Sequence, residues 1–222
     1  MENNPLHIQL QKSSNVFKQP VGSEKELREL FGYPGELVQR KQIGRLDNHC
    51  RHFISLSPML FISTADRSGA CDVSPRGDAA GFVHIIDDRH LVIPERPGNR
   101  RLDTLRNLLE NPNIGIQFVI PNLEETLRVN GRAWVVKDEE LMMRMEAHGK
   151  RPVAGIGVEV KECFIHCAKA FKRSQLWTPG LWQEKKGLPS IPRMLADHVN
   201  ADNVTEETVA NALKESYEKR LY

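Results

Sequence analysis

The loop Pro94–Arg100 carries the residues in this sequence that are best suited to binding a charged ligand. It reads Pro-Glu-Arg-Pro-Gly-Asn-Arg and leads directly into residues 101–110, where leucines recur at helical spacing. The first turn of a helix presents unpaired backbone N–H groups and the positive end of the helix dipole. Arg100 and Arg101 add two fixed charges, which are unfavourable at that position unless an anion lies nearby. The pattern predicts a phosphate site; the alternative is a pair of solvated arginines on a surface helix.

A second segment, residues 72–78, reads Asp-Val-Ser-Pro-Arg-Gly-Asp. A strand is expected to stop at Pro75, and Gly77 allows a sharp turn after it. Backbone amides at the edge of this strand, together with Arg76, could contact a flat polar ring. The alternative is a turn with a surface pair between Arg76 and Asp78, which would contribute little to stability.

A third segment, residues 166–174, is rich in basic side chains and is followed by Trp177. A helix here would place Lys169 and Arg173 on one face, with Trp177 one turn further along. Such a cationic and aromatic face suits a phosphorylated aromatic ligand or a partner subunit. The alternative is a solvated helix beside a buried tryptophan.

The four cysteines are Cys50, Cys71, Cys163 and Cys167, and the sequence favours free thiols over disulfides. The stretch 163–167 also suggests a metal site, but it has no glycine or proline to form the tight turn that zinc ligands require. In a strand, moreover, His166 and Cys167 would face opposite ways. We therefore predict no metal site.

Short β-branched and apolar runs in the middle of the chain alternate with turn residues, which is typical of an antiparallel barrel or sandwich. The predicted strands are Met59–Ala65 with Cys71–Ser74, Phe82–Ile86 with His90–Pro94, Ile114–Ile120 with Thr126–Val136, and a further run, Val153–Val160. The predicted fold class is therefore mainly β, with peripheral helices.

Helical patterns surround this core. The first predicted helix follows the capping-box pattern at Ser23–Glu26. Three more are predicted at Glu36–Phe53, Arg101–Glu110 and Glu139–Glu146, and a last one begins near Thr205. These patterns divide the chain into three segments. Residues 1–57 form a helical segment, residues 58–178 the core, and residues 179–222 a Pro-rich linker with a C-terminal helix.

Composition excludes several classes of protein. The chain has 222 residues, of which 40% are hydrophobic and 27% charged, and this balance is typical of globular proteins. A net charge of +2, without a basic stripe, gives little support to a nucleic-acid partner. No apolar run is long enough to span a membrane. The segment Met1–Gln11 lacks the pattern of a signal peptide, so we expect a cytoplasmic location.

Five blocks, taken together and in order, resemble the pyridoxamine 5'-phosphate oxidase-like family of FMN-binding split barrels, and in particular its branch of FMN-dependent enzymes with unassigned substrates. The blocks are Ser63–Asp66, Asp72–Asp78, Gly98–Thr104, Thr126–Ala133 and His166–Ala170. The similarity runs from about Pro58 to Trp177. It implies a six-stranded split β-barrel that forms a homodimer, with FMN in a groove between the subunits and a small-molecule substrate.

The resemblance also implies which residues bind the cofactor. Asn99, Arg100 and Arg101 would hold the FMN phosphate, and Val73, Ser74 and Arg76 would lie on the strand beside the ring system and phosphate. Ile93 and Pro94 would border the isoalloxazine, and Thr126 and Arg128 would approach it from the next strand. His166, Lys169, Arg173 and Trp177 would complete the site, from either subunit.

One departure from the family concerns the substrate. The oxidase itself ends in an Arg- and His-bearing segment that grips pyridoxamine phosphate, whereas this chain ends in a Pro-rich stretch and a helix. This argues against pyridoxamine phosphate as the substrate. No catalytic triad or carboxylate pair stands out, and a flavin supplies its own electron chemistry, so no catalytic residue is assigned.

Three functions follow from these observations. The first is an FMN-dependent oxidoreductase with an unknown substrate. The second is a non-catalytic carrier or sensor of flavin, or of a replacement cofactor such as haem or deazaflavin. The third, to which the charge gives least support, is an interaction protein that uses residues 166–177 on nucleic acid.

Overall fold

The computed structural model describes residues 16–222, so the predicted absence of a signal peptide in residues 1–11 lies outside them. The chain divides into two compact units, with the boundary in the sequence between Lys41 and Gln42. The first unit contains helices α1 (Glu24–Phe31) and α2 (Glu36–Arg40). The Ser23 hydroxyl caps α1 and accepts a hydrogen bond from the Glu26 N–H at 3.2 Å. This is the start that the capping-box pattern predicts.

The expectation of one helix over 36–53 is wrong. The chain leaves α2 at Arg40 and begins a new helix, α3 (Asn48–Leu56). Between the two helices, Ile43 forms an isolated β-bridge with Cys163, which is incompatible with helical backbone. Asp47 then starts α3, because its carboxylate accepts the Cys50 N–H at 2.8 Å.

A single antiparallel sheet of seven strands forms the second unit. The strands are β1 (Met59–Ala65), β2 (Cys71–Gly77), β3 (His84–Ile85), β4 (His90–Pro94), β5 (Asn113–Val119), β6 (Thr126–Val136) and β7 (Gly155–His166). Their order across the sheet is β2-β1-β5-β6-β7-β4-β3. The predicted class, an antiparallel split-barrel-like fold with peripheral helices, is confirmed. The strand count is seven rather than six, because the two-residue β3 adds a short edge beside β4.

Four strands differ in their bounds from those that the sequence predicts, and β5 is shifted by one residue at each end. β2 continues through Pro75 to Gly77, since a proline at an outer strand of the sheet does not interrupt a ladder on its free side. β3 is shorter than the expected 82–86. β7 is longer than the expected 153–160, because it pairs with the whole of β6 as well as with β4.

The remaining helices are α4 (Asp103–Glu110), α5 (Glu139–Arg144), α6 (Lys169–Ser174), α7 (Ile191–Val199) and α8 (Glu206–Lys219). The sequence did not predict α7, which falls in the expected Pro-rich linker. Its proline lies in the first turn, where the missing N–H costs nothing, and Ser190 caps the helix. Proline therefore begins this helix instead of breaking it. The three predicted segments, 1–57, 58–178 and 179–222, stay a prediction.

The core lies on one face of the sheet, against α3 and α4. Leu60, Ile62 and Phe118 are fully buried there, and Ile54 and Leu108 pack on them from the two helices. β6 bends where its register with β7 shifts after Asn130. Gly131 is required at this bend, because a Cβ atom would lie 2.1 Å from the Glu159 carbonyl oxygen.

Two ion pairs connect β2 with the end of β4, although four strands separate these two in the sheet order. Arg76 contacts Glu95 at 3.1 Å, and Arg96 contacts Asp78 at 2.7 Å. The sheet must therefore curve strongly for the side chains of β2 and β4 to meet. We call these two contacts the bridging ion pairs.

Candidate functional site

A chain of polar side chains joins β2 to the start of α4. Alternation along β2 places Asp72, Ser74 and Arg76 on one face, opposite the buried Thr64, Ile62 and Leu60 of β1. Thr104, in the first turn of α4, is only 3% exposed and meets this row. We call Asp72, Ser74, Arg76 and Thr104 the β2–α4 cluster.

Hydrogen bonds run through the β2–α4 cluster in one direction. Arg76 Nη1 donates to Ser74 Oγ at 3.0 Å, and Ser74 Oγ lies 2.8 Å from Thr104 Oγ1. Thr104 donates in turn to Asp72 Oδ2 at 3.1 Å. Because the Thr104 proton is used there, the Ser74 hydroxyl is the donor in its contact with Thr104. The carboxylate thus orients both hydroxyls, and together they hold the Arg76 guanidinium in place.

Arg76 is the best-placed anion ligand in the cluster. Its side chain is only 16% exposed, and its Nε donates to Glu95 at 3.1 Å. Its Nη1 serves Ser74 and the Pro75 carbonyl, whereas Nη2 makes no hydrogen bond within residues 16–222. A guanidinium fixed on one side and free on the other can bind a phosphate oxygen through Nη2. Glu95 is the carboxylate that pairs with its charge.

The loop before α4 has an unusual backbone. Arg100 and Leu102 adopt left-handed conformations, with φ of 62° and 61°, and neither is glycine. Leu102 is the N-cap of α4, and no side chain caps its N–H groups. Left-handed non-glycine residues cost about 1–3 kcal/mol each and concentrate at ligand-binding loops. The first turn of α4 therefore offers backbone donors beside the β2–α4 cluster.

The two arginines of this loop differ in their contacts. Arg100 is exposed, and Arg101 Nε donates to Asp103 at 2.8 Å. The hydrogen bond from Arg101 to Asp103, and the charge of that carboxylate, raise the pKa of Arg101 above its usual value. Asn99 Oδ1 accepts the Arg101 N–H at 3.0 Å and so tightens the turn. The role of these three residues on the FMN phosphate stays a prediction.

Ile93, Pro94 and Val73 border the cluster in different ways. Ile93 and Pro94 are buried at the end of β4, immediately before Glu95. Val73 lies on the opposite face of β2 from Ser74 and Arg76, and its side chain is 65% exposed. Val73 and Arg76 therefore present their side chains on opposite faces of β2.

The remaining predicted residues lie at the other end of β6 and β7. Thr126 pairs with His166 across the two strands, and Arg128 lies over the Phe164 ring, 5.7 Å from its centroid. His166, Lys169 and Arg173 are exposed. We call the six residues Thr126, Arg128, His166, Lys169, Arg173 and Trp177 the β6–α6 group.

Contacts with the loop between β5 and β6 hold α6 in position. Trp177 Nε1 donates to the Leu123 carbonyl at 3.0 Å, and its ring stacks on Phe171 with 5.8 Å between centroids. Lys172 forms an ion pair with Glu124, and this hydrogen bond raises the pKa of Lys172. These anchors leave Lys169 and Arg173 directed at solvent.

Thr126 has an unsatisfied hydroxyl. Its side chain is 1% exposed, and among residues 16–222 its Oγ1 is the one buried side-chain nitrogen or oxygen without a hydrogen-bond partner. A buried hydroxyl without a partner costs about 1–3 kcal/mol. Such an orphan is typical of a site that a ligand or another chain completes.

A single chain does not bring the two groups together. Arg76 of β2 lies three strand spacings from the start of β6. The residues aligned with it are, in turn, Leu60 of β1, Phe118 of β5 and Leu127 of β6. At about 4.8 Å per spacing this is roughly 14 Å along the sheet. Arg128 and Arg76 also lie on opposite faces. The resemblance places His166, Lys169, Arg173 and Trp177 in the site from either subunit, and Thr126 and Arg128 on a strand next to the ring; both expectations stay predictions.

Three residues of this region were not among the candidates that the sequence provides: Asp72, Glu95 and Thr104. Strict alternation along β2 already places Asp72 on the face of Ser74 and Arg76. A threonine in the first turn of a helix with an uncapped start is a further signal for Thr104. Glu95 could not be found, because only the curvature of the sheet brings it to Arg76.

Residues 16–222 contain neither a candidate cluster of metal ligands nor a helix that could cross a membrane. Within them, no three His, Cys, Asp or Glu side chains are grouped in a way that could hold a metal ion. No helix of this part of the chain has the length and apolarity that a membrane crossing requires.

Residues 46–167 match the family model described as pyridoxamine 5'-phosphate oxidase, and they contain the strand and the helix that form the β2–α4 cluster. The chain belongs to the pyridoxamine 5'-phosphate oxidase family. Comparison with curated proteins gives no match.

Several solved structures resemble this family member over about half of its length. HupZ from Group A Streptococcus is 18% identical, with a TM-score of 0.44, over 54% of this chain and 92% of its own. General stress protein 26 from Bacillus anthracis is 15% identical, with a TM-score of 0.41, over 53% and 93%. HutZ from Vibrio cholerae, described as a heme storage protein, is 19% identical, with a TM-score of 0.39, over 55% and 94%.

Proposed function

We propose that this protein binds FMN, with the phosphate at the β2–α4 cluster, and uses it as an oxidoreductase on a small molecule. The observation that carries the proposal is the Arg76 guanidinium, held by Ser74 and Glu95 with Nη2 free, beside the uncapped start of α4. A homodimer with FMN between the subunits is part of the proposal. A cytoplasmic location stays a prediction from the sequence.

The residues present fit a phosphate ester. Its oxygens can accept from Arg76 Nη2 and from the backbone N–H groups of the first turn of α4. Arg100 lies in the same loop, and its exposed side chain can turn toward the anion. Arg101 can give up its hydrogen bond to Asp103 and donate to the phosphate instead. Ser74 and Thr104 already donate their protons toward Asp72, so they position Arg76 rather than bind the phosphate themselves.

When bound, the flavin supplies the hydride and electron chemistry, and the protein binds and orients it. Val73 on the outer face of β2 offers an apolar surface at which a ring can lie. The orphan hydroxyl of Thr126 and the exposed cations of the β6–α6 group can complete this site across a subunit interface.

The proposed phosphate contact is tested by comparing FMN with riboflavin, which lacks the phosphate. We expect the purified protein to bind FMN at least about 100-fold more tightly than riboflavin, measured by quenching of flavin fluorescence. Arg76→Ala should abolish most of this preference while leaving riboflavin affinity unchanged. Arg193→Ala on α7 is the matched control and should behave as wild type. Equal affinity for the two flavins would overturn the phosphate assignment.

The proposed redox activity is tested with the FMN-loaded protein. We expect the visible absorption of the flavin to bleach under NADH or NADPH and to return when an electron acceptor is added. Bound flavin that neither nucleotide reduces would favour the second function, a non-catalytic flavin carrier. Sedimentation analysis of the same sample should give the mass of a dimer.

A further inference from the structure

Helix α3 and strand β7 each place one cysteine in the core, and the two sulfur atoms are in contact. Cys50 is the third residue of α3 and is 7% exposed, whereas Cys163 on β7 is fully buried. The Cys163 thiol donates to Cys50 Sγ, with 3.3 Å between the sulfurs. Both residues are free thiols. Residues 113 positions apart in the sequence thus meet through their sulfur atoms.

The backbone on both sides of this contact is fixed. Cys163 exchanges two hydrogen bonds with Ile43, at 3.0 Å and 2.7 Å, and the Cys50 N–H is held by Asp47. A disulfide requires about 2.05 Å between sulfurs, so the two atoms need to approach by roughly 1.2–1.3 Å. The thiols are therefore already in the arrangement from which a bond can form.

The two thiols differ in reactivity. The hydrogen bond from the Cys163 thiol lowers the pKa of Cys50, against the opposing effect of burial. The same hydrogen bond, with burial, raises the pKa of Cys163. Cys50 also lies in the first turn of α3, where the helix terminus favours a thiolate. Cys50 is therefore the nucleophile of the pair, and it is also the residue of the two that keeps some exposure, 7% against 0% for Cys163.

We propose that Cys50 and Cys163 form a peroxide-sensitive thiol–disulfide site. The Cys50 sulfur attacks hydrogen peroxide, the O–O bond breaks, and the products are a sulfenic acid and one water. The Cys163 thiol then attacks the Cys50 sulfur, the S–O bond breaks, and a second water leaves with the thiol proton. The two thiols lose two electrons and two protons, and one peroxide is reduced to two waters.

The disulfide would attach α3 covalently to β7. It would close a loop of more than 100 residues, which restricts the unfolded chain more than the folded one. We expect the thermal midpoint of unfolding, Tm, to rise by about 5 °C or more on oxidation.

The test uses the full chain with Cys71→Ser and Cys167→Ser, which removes the two exposed thiols. After treatment of the native protein with hydrogen peroxide, we expect its mass to fall by about 2 Da, corresponding to the loss of two hydrogens. Proteolysis should give a peptide pair that joins Cys50 to Cys163, and dithiothreitol should restore both thiols and the original Tm. The oxidised chain should remain a monomer on a denaturing gel without reductant.

The matched control adds Cys50→Ser to the same background, with circular dichroism to confirm its fold. It should lose no mass and show no rise in Tm. If this control does not fold, the same peroxide treatment of the Cys71→Ser, Cys167→Ser protein in denaturant replaces it, and the disulfide should form more slowly there than in the native protein. The proposal is overturned if both thiols stay titratable after peroxide treatment, or if the native protein gains oxygen without forming the bond.

Discussion

The β2–α4 cluster and the β6–α6 group differ in how much of their geometry one chain determines. In the first, Arg76 is 16% exposed and two of its nitrogens are fixed by hydrogen bonds to β2 and Glu95. In the second, His166, Lys169 and Arg173 are exposed, and one buried hydroxyl has no partner. The β2–α4 cluster is therefore preorganised for a ligand. The β6–α6 group resembles half of a binding site that another molecule completes.

This difference predicts that the two groups contribute unequally to ligand binding. A preorganised guanidinium loses little conformational entropy when it binds an anion, so we expect most of the binding free energy to come from the β2–α4 side. In the proposed site, the exposed Lys169 and Arg173 of the β6–α6 group lie away from the phosphate, unlike the two arginines of the loop before α4, so their contribution is smaller. The predictions below test this division, beginning with the largest expected effect.

The largest effect is expected for the two loop arginines. Arg100→Ala with Arg101→Ala should weaken FMN binding by roughly 100-fold or more, since each charge-assisted hydrogen bond to phosphate contributes about tenfold or more. Lys169→Ala with Arg173→Ala removes the same number of charges from the β6–α6 group and should weaken binding by about tenfold or less. Fluorescence titration measures the FMN affinity of both double variants. A larger loss of affinity in the Lys169→Ala, Arg173→Ala variant would contradict the proposed difference between the two groups.

The second effect concerns stability and the bridging ion pairs. Arg96→Ala leaves the Asp78 carboxylate, which is 3% exposed, without its cation. Breaking such a buried pair should lower the free energy of unfolding by about 3 kcal/mol, measured by urea denaturation. Arg151→Ala removes an exposed partner of Glu146 and is the control, for which we expect no measurable change.

A pH dependence should accompany the same ion pair. Burial acts to raise the pKa of Asp78, but hydrogen bonds from Ala79, Tyr222 and Arg96 outweigh it, so the pKa lies below the ordinary 3.8. The unfolded state therefore binds the proton first, and the stability that Asp78 contributes is present above pH 3.8 and lost as the pH falls through the folded pKa. The difference in unfolding free energy between wild type and Asp78→Asn should shrink as the pH falls below this value. A constant difference would show that the carboxylate charge is not responsible.

The smallest effect is expected at two buried threonines. Thr126→Val removes a hydroxyl without a partner and should leave the free energy of unfolding unchanged or raise it by up to about 1 kcal/mol. Thr64→Val is the matched control, because Thr64 is also buried and accepts a hydrogen bond from Asn107 at 3.1 Å. It should destabilise the protein by about 1 kcal/mol. Chemical denaturation of the monomeric state would show whether the Thr126 hydroxyl is an orphan in solution.

Local patterns predicted much of the fold. Short β-branched runs and turn residues predicted His90–Pro94 and Thr126–Val136 with their observed bounds, because hairpins depend on neighbouring residues. The sequence did not reveal the break between α2 and α3, which follows from a long-range bridge between Ile43 and Cys163. It also did not reveal α7, whose proline was interpreted as a breaker although it lies at a helix start.

The candidate site shows the same limit. The family resemblance named Ser74 and Arg76 together with Val73, and the loop pattern pointed to the start of α4. Glu95 and the hydrogen-bond chain through Thr104 depend on how the sheet curves, which no local pattern encodes. The separation of Arg76 from Arg128 likewise required the strand order, since both residues lie in strands with similar patterns.

The bridging ion pairs have a consequence for how the protein can vary. Because side chains and not backbone hydrogen bonds join β2 to β4, the width of the gap between these strands depends on the length of four side chains. A substitution such as Glu95→Asp would change that width by about one carbon–carbon bond and leave every strand ladder intact. The opening could thus adapt to ligands of different thickness by single substitutions, without a new fold.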